Sequence, residues 1–321
     1  MPPALRINPW ASEYEGALHL GEGDEDQAPP SGLRIDIEVD EWRPIAPAPT
    51  PRPPVIFVDG VRRVEVGVIQ EDDGTVCYGL FGSYAAGAVV CRADGASVDR
   101  RDVRRRLVVG GGSRHPNIEV GAGSTKLQFE GHAIPENSPR ATLDGLQELM
   151  RRLEGQVALP YVEADALAFM DGPLTFLLPL EEPILGYVKT LYRSYLPSEQ
   201  ARTLYELRPG ERTPVFGFGE GSATRYSWYL RLAAPGPLDY TLAGVVRIEV
   251  STSVGEREAI RLADLSAAVL PQFASHPAWD ARAPQNLFPL GALENDLHHS
   301  LGNHLWVRRA IEGQLMQQGG A

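Results

Sequence analysis

Twice in this chain, a run of four apolar residues is followed by Asp-Gly: "VIFVDG" at residues 55–60 and "LAFMDG" at residues 167–172. Short apolar runs of this kind are typical of strands buried in a sheet, and glycine allows a sharp turn after each of them. A hairpin turn is the ordinary explanation of Asp-Gly and requires no function. The repetition favours a second interpretation, in which Asp59 and Asp171 each stand at the carboxyl end of a buried strand.

The patterns around these two segments predict a mixed α/β fold. Strand patterns occupy 75–91 (as strand, turn, strand), 126–134, 183–189, 213–220, 225–235 and 244–251. Helix patterns occupy 138–155, 197–207, 256–273 and the leucine-rich segment after residue 288. The first helix is expected to begin at its N-cap, Ser138, and to end at Gly155. Strands followed by alternating helices and strands predict a mixed sheet with helices on its faces.

Charge divides the chain into an arm and a compact part. The net charge of −12 argues against a protein that simply coats DNA. Residues 1–53 carry ten acids against four arginines and end in a proline-rich stretch, so we predict an acidic N-terminal arm with a linker and one domain over 54–321. Within that domain, "DRRDVRRRL" is the densest basic cluster. It is interpreted either as a solvated helical face or as a phosphate-contacting patch that includes Arg104 and Arg105.

The location of the protein follows from what the sequence lacks. It contains neither an apolar run long enough for a membrane helix nor the basic and apolar start of a secretory signal. Its two cysteines, Cys77 and Cys91, lie in apolar surroundings without metal-type spacing. We therefore expect a cytoplasmic protein with no membrane attachment.

Several acids have the side chains needed to bind divalent cations. Besides the two Asp-Gly aspartates, the predicted helix over 138–155 carries three candidates and a late helix carries one: Asp144, Glu148, Glu154 and Asp296. Mg²⁺ and Mn²⁺ prefer oxygen ligands and keep coordination positions for water and phosphate. Two such ions ~3.5–4 Å apart can activate a water and stabilise the leaving oxygen of a phosphodiester. The residues alone thus indicate metal-dependent phosphodiester chemistry.

A set of short motifs resembles the NurA nucleases in type and order. The motifs are "FVDGVRR", "GLFGSYAAGAVV", "AFMDGPL", "ILGYVKT", "LRPGERTPVF", "SWYLRL" and "LFPLGALENDL". The resemblance covers roughly residues 54–310. The resemblance implies an RNase H-like mixed sheet and a nuclease that uses Mn²⁺, or Mg²⁺ in its place. It also implies a homodimer that resects DNA ends in double-strand break repair with the hexameric ATPase HerA. The expected activities are 5′–3′ exonuclease and single-strand endonuclease cleavage.

The same resemblance implies which residues bind the metal. Asp59, Asp171 and Asp296 correspond to metal ligands of the family. The glutamate of the family lies on the helix before the second Asp-Gly, where its usual position here is occupied by Asp144. Glu148 lies one turn further along the same face and reaches further, so we predict Glu148 as the helix ligand. Asp144 is the second candidate and Glu154 the third.

Further residues have two interpretations each. Lys189 is a surface lysine or, as the resemblance implies, a contact to the scissile phosphate. Arg231 is an ion-pair partner within the sheet or a phosphate clamp. His299 is a helix-surface histidine or lies beside the metals. Tyr192 packs in the core or stacks on an unpaired base of DNA.

Two alternatives to a nuclease stay open. Asp-Gly turns after strands also occur in actin-like phosphotransferases, for which "FGFGEGSATRY" is the one candidate nucleotide loop. Because no P-loop motif is present, we expect no nucleotide on this chain. The other alternative is a structural adaptor of the ATPase with weak catalysis, which is favoured by the aspartate at position 144.

Overall fold

The computed structural model describes residues 30–48, 53–72, 75–122, 125–175, 177–178, 180–190, 195–237, 239–280 and 282–319. The chain divides into two compact units. Unit 1 comprises Met1–Phe57 and Tyr161–Gly291, and unit 2 comprises Val58–Pro160 and Ala292–Ala321. Among the described helices, none is long and apolar enough to span a membrane.

In the described residues, five strands come first, and helices and further strands follow in mixed order. The strands are β1 (Val55–Asp72), β2 (Thr75–Arg92), β3 (Gly95–Val109), β4 (Ile118–Ala122), β5 (Thr125–Ala133), β6 (Leu167–Asp171), β7 (Leu185–Val188), β8 (Phe216–Phe218), β9 (Arg225–Arg231) and β10 (Val245–Ser251). The helices are α1 (Pro139–Val162), α2 (Ser198–Ala201), α3 (Thr203–Glu206), α4 (Glu256–Val269), α5 (Phe288–Ser300) and α6 (His304–Gly319).

Unit 2 is built on the strand order β4-β5-β3-β2-β1. β2 and β3 are antiparallel with a bulge at Ala88 and Val89, whereas β3 and β5 are parallel. Gly82 of β2 faces Leu146 of α1, and Gly87 of the same strand faces Leu297 of α5. Residues five apart on a strand point to opposite sides of the sheet, so helices cover both faces. α6 completes the core through Val307 and Ile311.

Unit 1 is built on the strand order β6-β7-β10-β9-β8. β6 and β7 are parallel, and the remaining pairs are antiparallel. α4 packs on this sheet through a hydrogen bond from Trp228 Nε1 to Ser266 Oγ, 2.9 Å long. The N-terminal segment 30–48 belongs to the same core, since Leu33, Ile35 and Trp42 pack against it. The predicted boundary at residue 54 stays a prediction.

The predicted fold class, a mixed α/β sheet with helices on its faces, is confirmed, but four local predictions are wrong. β1 continues to Asp72, so Asp59-Gly60 is not a turn; glycine is needed there because α1 approaches the strand closely. Residues 75–92 form one strand without a turn, and "DRRDVRRRL" lies on β3 rather than on a helix. α1 runs past Gly155 to Val162, because buried Val157 and Ala158 outweigh the ~1 kcal/mol helix cost of glycine.

Candidate functional site

Unit 2 contains two buried carboxylates, one on β1 and one on α1 where this helix packs against the strand. Asp59 is 7% exposed, and its Oδ1 accepts a 2.8 Å hydrogen bond from the backbone N of Gly60. Glu154 of α1 is fully buried, and its Oε2 accepts a hydrogen bond of 2.8 Å from Arg151. Its Oε1 fills the space that a side chain at position 60 would need. Glu154 therefore meets the strand one residue after Asp59.

The other two acids of α1 face water. Glu148 pairs with Arg152 and Asp144 with Arg140, each one turn away on the helix, and both acidic side chains are 43% exposed. Surface pairs of this kind contribute little to stability. The structure thus places the predicted ligand Glu148 and the second candidate Asp144 in ion pairs with arginines of their own helix. The third candidate, Glu154, reaches β1 at Gly60.

Asp296 lies elsewhere in unit 2, where α5 passes β3. Both of its carboxylate oxygens bind the guanidinium of Arg101, with 3.0 Å from Nη2 to Oδ1. This hydrogen-bonded guanidinium lowers the pKa of Asp296. His299, predicted as a possible neighbour of the metals, is exposed, and its charge lowers the same pKa to a smaller extent. Asp296 is thus the ion-pair partner of Arg101 at the surface of unit 2.

Asp171 and Lys189 form a close ion pair in unit 1. The parallel register places Asp171, the last residue of β6, opposite Tyr187 of β7, and Lys189 follows directly after β7. Gly172 has a φ of 89°, which glycine adopts without strain, and its N donates to the Tyr187 carbonyl. The Nζ of Lys189 lies 2.6 Å from Oδ2 of Asp171. Here the predicted strand end and turn are both present.

The loop before α5 contributes a second partner to Lys189. Its Nζ donates to Oδ1 of Asn286 over 3.1 Å, and Asn286 in turn donates to the carboxylate of Asp280. The buried hydroxyl of Tyr187 donates to the Gln285 carbonyl; burial, and to a smaller extent the charge of Asp171, raise its pKa well above the ordinary value. No motif in the sequence indicated Asp280 or Asn286, because the contact that gives them a role joins Asn286 to Lys189, 97 residues away in the chain.

The remaining predicted residues have mostly structural surroundings. Arg231 is buried and donates to the backbone carbonyls of Leu204, Thr241 and Ala243, which are contacts within unit 1. Arg105 donates to the Leu301 carbonyl, and burial lowers its pKa.

Arg104 pairs with Asp102 at 3.0 Å and is about one third exposed. Of the two basic candidates it is the one open to a phosphate. Tyr192 lies outside the described residues.

The donor type of the buried acids fits a divalent cation, since carboxylate oxygens are the ligands that Mg²⁺ and Mn²⁺ prefer. Asp171 already holds a cationic group at 2.6 Å, and Glu154 is a fully buried carboxylate. Within the described ranges, no three Asp, Glu, His or Cys side chains form a group that could hold a metal ion. The carboxylates are therefore of the ligand type that a divalent cation prefers, but the described residues do not form a complete coordination sphere.

Comparison with known proteins identifies the family. The sequence profile of the NurA domain matches residues 53–288. No curated protein sequence matches the chain. Among solved structures, the NurA nuclease from Sulfolobus solfataricus is similar, with 12% sequence identity, 87% of this chain and 88% of that chain covered, and a TM-score of 0.47. Since the profile match covers well over half of the sequence, the chain belongs to the NurA family.

Proposed function

We propose that this chain is a metal-dependent DNA nuclease that cleaves DNA ends and single strands. The observation that carries the proposal is the match of the NurA domain over 53–288. The buried carboxylates of Asp59 and Glu154 and the pair of Asp171 with Lys189 support it. The proposal includes Mn²⁺, or Mg²⁺ in its place, as cofactor, a homodimer as the working form, and a hexameric ATPase as partner in end resection.

The roles of the residues follow from their surroundings. Asp59 and Asp171 are each proposed as metal ligands, and Glu154 replaces Glu148 as the proposed helix ligand. A bound divalent ion supplies an activated water and stabilises charge at the leaving oxygen. Lys189 is a buried cation next to Asp171 and is suited to compensate charge on the phosphate. Asp296 stays a proposed ligand, on condition that Arg101 releases it.

Digestion of end-labelled DNA tests this function. The full-length protein is incubated with single- and double-stranded DNA, labelled at either end, in Mn²⁺, Mg²⁺ or EDTA. We expect degradation that depends on the metal and that falls at least ~100-fold in Asp59→Asn, because a metal ligand is lost. Asp36→Asn, which changes an exposed acid of the N-terminal segment, should retain activity.

Two outcomes would contradict the proposal. Full activity of a folded Asp59→Asn protein would refute the site. An absence of cleavage under every condition, with the cognate ATPase added, would favour the adaptor interpretation. Comparing products from the two labelled ends gives the polarity of cleavage, for which 5′–3′ is expected.

A further inference from the structure

We propose that Asn286 is a positioning residue that holds the Lys189 ammonium beside Asp171, and that Asp280 fixes the orientation of the Asn286 amide. The inference rests on the proposed nuclease function, because Lys189 matters for the reaction only if Asp171 belongs to the cleavage site. It extends that function to the loop over residues 275–287, in which the sequence motifs indicated no role.

The ammonium of Lys189 lies between one charged and one neutral acceptor. Its Nζ is 2.6 Å from Oδ2 of Asp171 and 3.1 Å from Oδ1 of Asn286. Lys189 is 8% exposed and Asn286 is 1% exposed, so water screens neither contact strongly. Burying a charge is costly unless it is paired and hydrogen-bonded. Both acceptors therefore compensate part of the cost of burying this ammonium group.

Asp280 determines which way the Asn286 amide points. The Nδ2 of Asn286 donates to Oδ2 of Asp280, and an ionised carboxylate can only accept. If the amide were turned over, its oxygen would face the carboxylate and its NH₂ group would face the ammonium, and both contacts would be repulsive. Only the observed orientation therefore serves Lys189 and Asp280 together.

The Asp280 carboxylate is itself held in the ionised state. Partial burial raises its pKa, but hydrogen bonds from the Asn286 side chain and from the backbone N of Arg282 outweigh this effect, so the pKa lies below the ordinary value. The Arg282 backbone bond is 2.7 Å long. At neutral pH, Asp280 is thus available as the acceptor that the Asn286 amide requires.

The backbone of the loop is anchored at the same place. The N of Ser275 donates to the Asn286 carbonyl at 3.0 Å, and the N of Asn286 donates to the Arg282 carbonyl at 3.1 Å. The Tyr187 hydroxyl bonds the Gln285 carbonyl at 2.6 Å. Residues 187 and 189 therefore hold two consecutive loop residues, which limits the movement of Asn286 relative to Lys189.

A neutral second acceptor has a specific use at a metal site. An Asp171 carboxylate whose charge is shared with a cation attracts the ammonium of Lys189 less strongly, because the net charge that it presents is smaller. The bond from Lys189 to Asn286 does not depend on that charge. Asn286 would thus keep the lysine next to Asp171 while Asp171 is engaged.

The chain offers an unusually direct test, because it contains only two lysines, Lys126 and Lys189. The full-length protein, without DNA or metal, is treated with acetic anhydride at one pH, and peptide mass spectrometry gives the acetylation rate of each lysine. Lys126, whose side chain is 66% exposed, is the internal reference. We expect Asn286→Leu to raise the Lys189-to-Lys126 rate ratio about tenfold, because a charge-assisted hydrogen bond is lost.

Changes at Asp280 separate positioning from folding. Asp280→Ala should raise the same ratio, whereas Asp280→Asn should keep it near the wild-type value, since an amide oxygen can still accept from Asn286. If Asn286→Leu does not fold, the two Asp280 variants alone test the proposal. In DNA cleavage, Asp280→Ala should lower kcat about tenfold with KM changed less than threefold, and Asp280→Asn should restore kcat.

An unchanged Lys189 ratio in folded Asn286→Leu, or in folded Asp280→Ala, overturns the proposal. Because acetylation is measured without substrate, this result is separate from the test of the nuclease. A protein that cleaves no DNA refutes the proposed function, whereas a protein that cleaves DNA with an unaltered ratio in the variants refutes only the role of Asn286.

Discussion

Glu154 occupies the space next to Gly60 that a side chain would fill. A Cβ at position 60 would lie 2.5 Å from Oε1 of Glu154 and 2.9 Å from Cγ of Met150. The glycine of the first Asp-Gly is thus required by the approach of a helix, and it allows a buried carboxylate to reach the strand. In the second Asp-Gly, by contrast, Gly172 has a positive φ and does form a turn.

Gly60→Ala should destabilise unit 2 by about 1–3 kcal/mol, because the added methyl group overpacks a filled space. The measurement is the free energy of unfolding in urea. Gly67→Ala is the matched control, since Gly67 lies on the same strand and a Cβ added there would have no atom within 4 Å. Equal stability of the two variants would contradict the packing argument.

Glu154→Gln should abolish most DNA cleavage, with a loss of at least ~100-fold if the carboxylate is a metal ligand. The amide can still accept the hydrogen bond from Arg151, so the fold should survive. Glu148→Gln changes an exposed carboxylate of the same helix and should stay within about twofold of wild type. The reverse pattern, with Glu148→Gln inactive and Glu154→Gln active, would restore the assignment made from the sequence.

The sequence contained the information that separates these two glutamates. Leu146, Met150 and Val157 are buried on α1, and Glu154 follows Met150 by four residues, which places it on their face of the helix. A helix predicted to end at Gly155 places Glu154 at its end, where its position on the buried face is not apparent. Periodicity over the full 24 residues of α1 would have favoured Glu154.

Other parts of the site were beyond reach of the sequence. The apolar runs predicted the strands that carry Asp59 and Asp171, and the order of elements predicted the α/β class. Lys189 was recognised as a site residue, but its bond to Asn286 joins two segments whose contact depends on the tertiary fold. The surroundings of Arg231 likewise follow from burial, because alternation along a strand does not reveal which carbonyls an arginine meets.

Glu249 should be the acid whose loss most destabilises unit 1. It is fully buried, binds Arg247 and Arg225, and accepts a 2.7 Å hydrogen bond from the backbone N of Leu174, in the loop that follows Asp171. Glu249→Gln leaves two arginines without their carboxylate, which costs about 3–5 kcal/mol for a broken buried pair. Urea unfolding at pH 7 measures this loss. Glu258→Gln, which changes a surface pair with Arg261, should cost less than about 1 kcal/mol.

The contribution of Glu249 to the free energy of unfolding should decrease as the pH falls. Burial raises its pKa, but the charges of Arg247 and Arg225 and the Leu174 hydrogen bond outweigh burial, so the folded pKa lies below the ordinary 4.5. A lowered pKa stabilises the fold above the unfolded pKa, and this stabilisation is lost as the pH falls through the folded pKa. The difference between wild type and Glu249→Gln should therefore narrow below about pH 4.5. A constant difference down to pH 3 would contradict this account.

We expect Glu38 to hold the N-terminal segment 30–48 in place on unit 1. The buried guanidinium of Arg212 donates to both oxygens of Glu38, at 2.7 and 2.8 Å, and also to Asp264. Glu38→Ala should lower stability by about 2–4 kcal/mol, somewhat less than a fully broken buried pair, because Asp264 still neutralises Arg212. Asp36→Ala is the control, since Asp36 is exposed and lies 3.9 Å from Arg34. Trypsin cleavage after Arg34 should accelerate in Glu38→Ala alone, because release of the segment exposes this site. Equal cleavage in the two variants would show that other contacts hold the segment.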